Sequence, residues 1–100
     1  MADTCTHLVP GIDPAPRPRT PDGCEECLAA GVRWLHLRLC IACGHVGCCD
    51  NSPGRHATGH FRSAGHPLIR SYEPGENWWW CFVDELGFEV PGSPPPPSHA

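Results

Sequence analysis

Cys40-Ile41-Ala42-Cys43-Gly44-His45-Val46-Gly47-Cys48 is the stretch on which the reading turns. A Cys-x-x-Cys turn brings two sulfurs within reach of one ion. Zinc lowers the thiol pKa and is held by the thiolates. A second pair, Cys24 and Cys27, lies upstream, and His56, His60 and His66 follow downstream. Structural zinc takes four ligands in a tetrahedron. Two such pairs followed by three closely spaced histidines point to zinc. By spacing alone, His56 and His60 lie four apart on one helical face and would share one ion.

The rest of the chain agrees with a metal-stapled fold. One hundred residues allow one domain with a modest core, and such chains often need a metal or disulfides. Thirteen prolines and eleven glycines signal much irregular backbone. A disulfide framework needs an oxidising compartment. The start, Met1-Ala2-Asp3-Thr4-Cys5, has no basic and apolar leader. The cysteines also sit in Cys-x-x-Cys pairs mixed with histidines, which suits metal. A cytoplasmic, monomeric protein is therefore expected. No run of eighteen apolar residues is present, so no membrane span is expected. The net charge is −4 and the seven basic residues, all arginines, are scattered. That argues against a nucleic-acid partner, which normally needs a basic face.

The elements read as α+β: a small zinc-stabilised domain with a short antiparallel sheet and one main helix. Residues 9–23 form a proline-rich loop. Cys24 to Gly31 is a metal knuckle running into a short helical turn that Gly31 stops. Residues 34–39 alternate, with Leu35, Leu37 and Leu39 on one face of a half-buried strand. Ser52 and Pro53 read as the cap and first residue of the main helix. That helix runs through Arg55, His56, His60 and Phe61 and ends near Gly65. Residues 67–72, 78–83 and 88–90 are further strands. The domain spans 1–90, and 91–100 form a proline-rich, disordered tail.

The run Trp34 … Cys40, Cys43, Gly44, Cys48 … His56, His60 … Gly65-His66-Pro67-Leu68 … Trp80-Cys81 resembles the UBP-type zinc finger. That module occurs in ubiquitin-specific proteases and in a cytoplasmic histone deacetylase. The likeness extends over about residues 5 to 90 and is greatest to small standalone bacterial members. It implies three zinc sites, and at least two. The first would use Cys24, Cys27, Cys48 and His56. The second would use Cys40, Cys43, His60 and His66. The third would use Cys5, His7, Cys81 and Asp84, the last standing where many relatives carry cysteine. Carboxylate oxygen also ligates zinc. His36, His45 and His99 are read as non-ligands, and Cys49 as a spare thiol.

Closed four-ligand sites leave no open position for catalysis, so a non-catalytic module that binds a protein or a peptide C-terminal tail is expected. Family members often grip a free Gly-Gly tail with a Cys-Gly-Arg-Tyr motif. Here Asp50 and Asn51 stand at the arginine and tyrosine positions, which argues against ubiquitin recognition in the family manner. Trp80 and Phe82 match the family's aromatic positions and are the candidate peptide-binding residues. Arg55 and Arg70 are the candidates for the displaced positive charge. The alternatives are a zinc- or redox-responsive protein using Cys49, and a hydrolase with open zinc at Asp84.

Overall fold

The computed structural model describes residue 7 and residues 12–90; Cys5 and the tail 91–100 lie outside the described residues. The order of elements is α1 (Glu25–Ala30), β1 (Leu37–Cys40), β2 (Val46–Cys48), α2 (His56–Ala64), β3 (Leu68–Ser71), β4 (Trp78–Cys81) and β5 (Leu86–Glu89). The strands make one antiparallel sheet in the order β2-β1-β3-β4-β5.

Alternation sends successive residues of each strand to opposite faces. Leu37, Leu39, Val46 and Cys48 are fully buried and pack with Tyr72, Cys24 and Cys27. Trp79, Cys81, Leu68 and Phe88 make a second cluster further along. Each fully buried Leu contributes about 1.5–3 kcal/mol. The opposite face carries Arg38, Ile69, Trp78 and Trp80, brought together by the pairs Arg38↔Ser71 and Ile69↔Trp80. Helix α2 leans on this face at the β2 side. Gly47 permits the approach, since a Cβ there would stand 2.6 Å from the Ala57 nitrogen.

The proline-rich loop is strapped to the sheet by specific bonds. Arg19 N–H donates to Gly44 O, and the Tyr72 hydroxyl to Pro21 O, each at 2.8 Å. The guanidinium of Arg70 donates to Pro14 O.

Several local expectations need correction. Leu35 is exposed, because β1 starts only at Leu37 and the alternation does not reach back to it. Helix α2 begins at His56, not at Pro53. Ser52 turns inward and its hydroxyl accepts the Leu35 N–H at 2.8 Å. Arg55, with φ 47°, takes the cap position without a side-chain bond, and the first helical N–H, that of His56, goes to Cys48 Sγ at 3.2 Å. The second knuckle contains a strand, β2, that its three residues were too few to announce. Strand β4 ends at Cys81, two residues before the expected Val83, and β5 starts at Leu86, two residues before Phe88, because a turn over 82–85 joins them. Helix α1 and β3 stand close to expectation, with Gly31 and Gly65 closing α1 and α2 in left-handed conformations.

Candidate metal centres and the adjoining groove

The first cluster joins three elements. Cys24 caps α1 and its sulfur accepts the Cys27 N–H. Cys48 ends β2, and His56 opens α2. His56 Nδ1 lies 3.3 Å from the sulfurs of Cys24, Cys27 and Cys48 alike. Cys27 Sγ stands 3.8 Å from Cys48 Sγ. A tetrahedron with metal–sulfur bonds of about 2.3 Å has sulfur–sulfur edges of about 3.8 Å, so the spacing fits one zinc ion. Burial, reinforced by the neighbouring thiols, pushes Cys27 up to about 12. Burial likewise raises Cys24. Such a cluster ionises only beside a strong positive charge. Among the described residues no disulfide links any cysteine.

The second cluster is built by Cys40 at the end of β1, Cys43 in the turn after it, His60 on α2 and His66 just beyond. Cys43 Sγ lies 3.3 Å from His60 Nε2, and Cys40 Sγ 3.6 Å from His66 Nδ1. Burial raises the Cys40 thiol to about 11. Burial, then the charges of His45 and His66, hold His60 down at about 4. His60 is therefore a neutral ligand across the physiological range. His56 and His60 thus go to different clusters, against the single-ion expectation from their spacing. The helix straddles the two clusters, so successive turns of one face point into different sites.

A third grouping gathers His7, Cys81 and Asp84. His7 Nδ1 is 3.3 Å from Cys81 Sγ and 3.5 Å from Asp84 Oδ2. Cys5, the fourth member expected from the sequence, is outside the described residues.

A half-buried pair, with His45 enclosed and Glu26 partly exposed, connects the first two clusters. His45 Nε2 sits 2.8 and 2.9 Å from the two oxygens of Glu26, and its ring stacks 4.0 Å from that of His60. Glu26 Oε1 also accepts from Cys24 Sγ at 3.8 Å. Burial would raise Glu26, but the hydrogen bond to His45, a backbone hydrogen bond and the charges of His45 and His56 together outweigh it, and the net shift is downward. His45 thus stands beside the first two clusters, its ring against the ligand candidate His60 and its Nε2 on Glu26. Sequence reasoning missed Glu26; its place inside Cys24-Glu25-Glu26-Cys27 was the available signal.

The sequence pattern of a family described as the zinc finger in ubiquitin hydrolases and other proteins (zf-UBP) matches residues 24–90. The chain belongs to the UBP-type zinc-finger family. It is a zinc-binding module, and its two Cys/His clusters fit at least two zinc sites. The finger is also similar to a solved structure, the solution NMR structure of protein RPA1320 from Rhodopseudomonas palustris. The two share 48% identity over 99% of this chain and 98% of that one, with a TM-score of 0.80.

Beside the first cluster the UBP-type finger carries a groove on the helix-facing side of the sheet. Its first hollow, of about 260 Å³, is walled by Arg38, Trp78, Trp80 and Phe82, with Asp50 and Thr58 also lining it. A second hollow, of about 310 Å³, shares Asp50, Thr58, Trp80 and Phe82 and adds Phe61, Arg62 and Glu85. The Phe61 and Phe82 rings stack at 4.7 Å. Trp80 and Phe82, the candidate peptide-binding residues, line both hollows.

The charges differ from expectation. Arg70 is fully buried under the proline-rich loop, its guanidinium 5.2 Å from the Trp79 ring, and faces away from the groove. Arg55 is exposed at the start of α2 and does not line either hollow. Two arginines line the groove: Arg62 in the second hollow, and Arg38 in the first, 4.4 Å from the centre of the Trp78 ring. The signal for Arg38 in the sequence was alternation: it sits between two buried leucines and must point to the opposite face. Asp50 Oδ1 accepts the Thr58 hydroxyl at 2.6 Å. Cys49 also lines the first hollow but is only 6% exposed. Burial would raise its thiol, but hydrogen bonds from Ser52 and the backbone, with the charge of Arg38, bring it to about 7.

Proposed function

We propose that this chain is a non-catalytic zinc module that binds a protein segment, a peptide tail, along the groove lined by Trp80 and Phe82. The observation that carries the reading is where the aromatics go. Of three consecutive tryptophans, Trp79 is buried in the core while Trp78 and Trp80 stand half-exposed in the groove. Half-exposed tryptophans combine large apolar area with a hydrogen-bond donor and are typical anchors of binding surfaces.

In this reading zinc is structural. One ion is held by Cys24, Cys27, Cys48 and His56, and another by Cys40, Cys43, His60 and His66. A third is held by Cys5, His7, Cys81 and Asp84. The metal supplies charge to ionise the buried thiols, and the chain supplies closed ligand sets. The groove does the work, in a cytoplasmic monomer. With Asp50 and Asn51 at the family's arginine and tyrosine positions, the grip on the ligand has to come from other residues.

The test is a titration of the zinc-loaded protein with a peptide ending in two glycines, followed through the indole N–H signals by NMR. The Trp78 and Trp80 signals move, and Trp80→Ala weakens binding. No movement at millimolar peptide rejects the groove reading. Native mass spectrometry of the same sample counts the ions, three being the expected number.

A further inference from the structure

We propose that the third grouping is an exchangeable clamp: its zinc ion leaves and returns while the first two sites stay loaded, releasing and fastening His7 at the turn between β4 and β5. The inference rests on the three-ion reading above and adds which of the ions is regulated, by the supply of zinc itself.

The donors fit zinc but hold it less firmly than those of the other two sites. His7 Nδ1 stands 3.3 Å from Cys81 Sγ and 3.5 Å from Asp84 Oδ2, spacings that one ion spans. The first cluster offers three sulfurs and one imidazole, and the second two of each. In the third, on the reading above, a carboxylate takes one of the four places. Soft thiolates suit zinc better than a hard oxygen does. Access differs too. Cys24, Cys27 and Cys48 are fully enclosed, and Cys40 is nearly so. The side chains of His7 and Asp84 are 32% and 37% exposed. Water, a chelator or an incoming ion reaches the metal from that side, so exchange needs no unfolding.

The site also stands apart in the fold. The first two clusters share helix α2, so neither ion leaves without loosening the other's ligands. The third takes nothing from that helix: Cys81 closes β4, and Asp84 lies in the turn over 82–85. That turn keeps its seat by other means. Phe82 N–H donates to Pro67 O at 2.9 Å, and the Phe82 ring stacks on Phe61. Cys81 is fully buried in the second apolar cluster with Trp79 and Phe88, where a thiol without metal packs as a small apolar group. The emptied site therefore has a stable resting form. What changes is the hold on His7, which also walls a hollow of about 430 Å³ with Ile12, Ile41 and Leu68. Losing the ion frees that wall and opens the hollow. Ile41 and Leu68 belong to the same cluster as Trp79, so the Trp79 indole reports on the site.

The experiment uses the zinc-loaded full chain, titrated with a colorimetric zinc chelator. Native mass spectrometry counts the ions, and the histidine ring-nitrogen and tryptophan indole signals in NMR locate them. One ion leaves at roughly tenfold less chelator than the other two, the smaller end of what changes around a zinc site are worth. At that point the His7 and Trp79 signals move, those of His56 and His60 hold, and added zinc reverses the change. Asp84→Cys ties the third ion more tightly, so that it leaves with the others. Asp84→Ala lowers its occupancy and keeps the other two. Three ions released together at one chelator concentration overturn the clamp and leave the three-ion reading standing. Two ions at saturating zinc, with His7 silent throughout, overturn that reading and the clamp together. A first loss read at His56 or His60 overturns the clamp alone. A first ion that leaves Asp84→Cys as readily as the wild type overturns the part given to the carboxylate. The wild-type titration decides the order of release even where neither variant folds.

Discussion

His60 illustrates how a single side chain is prepared for its work. Burial and the neighbouring His45 and His66 depress its proton affinity from the ordinary 6.5 to about 4. The unfolded chain therefore takes up a proton on this residue at higher pH than the folded one does. The stability it contributes is fully present above about 6.5 and is lost as the pH falls toward 4. Zinc and the proton also compete for the same nitrogen, which works in the same direction. Zinc retention measured by a colorimetric chelator from pH 7 to pH 4 should decline across that window. Complete loss of zinc already at pH 6 would contradict the depressed value. The two oxygens of Glu26 matter at this scale as well. They hold His45 against the His60 ring, so the rotamer of one ligand depends on a residue next to another ligand, Cys27.

Among the elements, the joint between β2 and α2 carries the most weight. Cys48 leaves the end of β2, and His56 and His60 leave α2, so both clusters depend on how the helix seats. Gly47 sets that distance. A methyl group at this position would stand 2.6 Å and 2.7 Å from backbone atoms of Ala57, which cannot rotate away as a side chain can. Gly47→Ala should therefore cost about 1–3 kcal/mol, by displacing the helix from the strand. A thermal melt of the zinc-loaded variant should show a lower midpoint, and fewer ions should survive buffer exchange. An unchanged melt and ion count would mean that the helix does not press on β2. The same joint explains the late start of α2. A helix beginning at Pro53 would carry Ser52 away from Leu35, where its hydroxyl is buried and bonded.

For the molecule as a whole, the apolar clusters are small and the metal is decisive. Structural zinc contributes about 10–16 kcal/mol in finger-sized peptides. That is comparable to the whole stability of an ordinary domain, about 5–15 kcal/mol. Exhaustive chelation should accordingly abolish the cooperative melt and collapse the dispersion of the tryptophan signals, and added zinc should restore both. A cooperative transition that persists without metal would show that the two apolar clusters suffice. No helix among the described residues is long and apolar enough to cross a membrane.

The division between what was written in the sequence and what needed the fold follows from the range of the forces involved. Metal-binding residues are chemically distinctive and closely spaced, so the Cys-x-x-Cys pairs and the three histidines were legible directly. Alternation gave the buried pair Leu37 and Leu39, and glycine marked both helix ends. The sharing of His56 and His60 between two clusters was not legible from spacing, because it depends on where α2 sits between two turns distant in the chain. Nor was β2, whose three residues pair only because β1 is beside them. The placement of the arginines is the clearest case. Arg38 and Arg70 are both arginines in strands of the same sheet, and composition cannot tell them apart. Cross-strand register turns one outward against Trp78 and seals the other beneath the proline-rich loop. Local chemistry is carried by residues a few positions apart, whereas the orientation of a charge depends on the strands and helices packed around it.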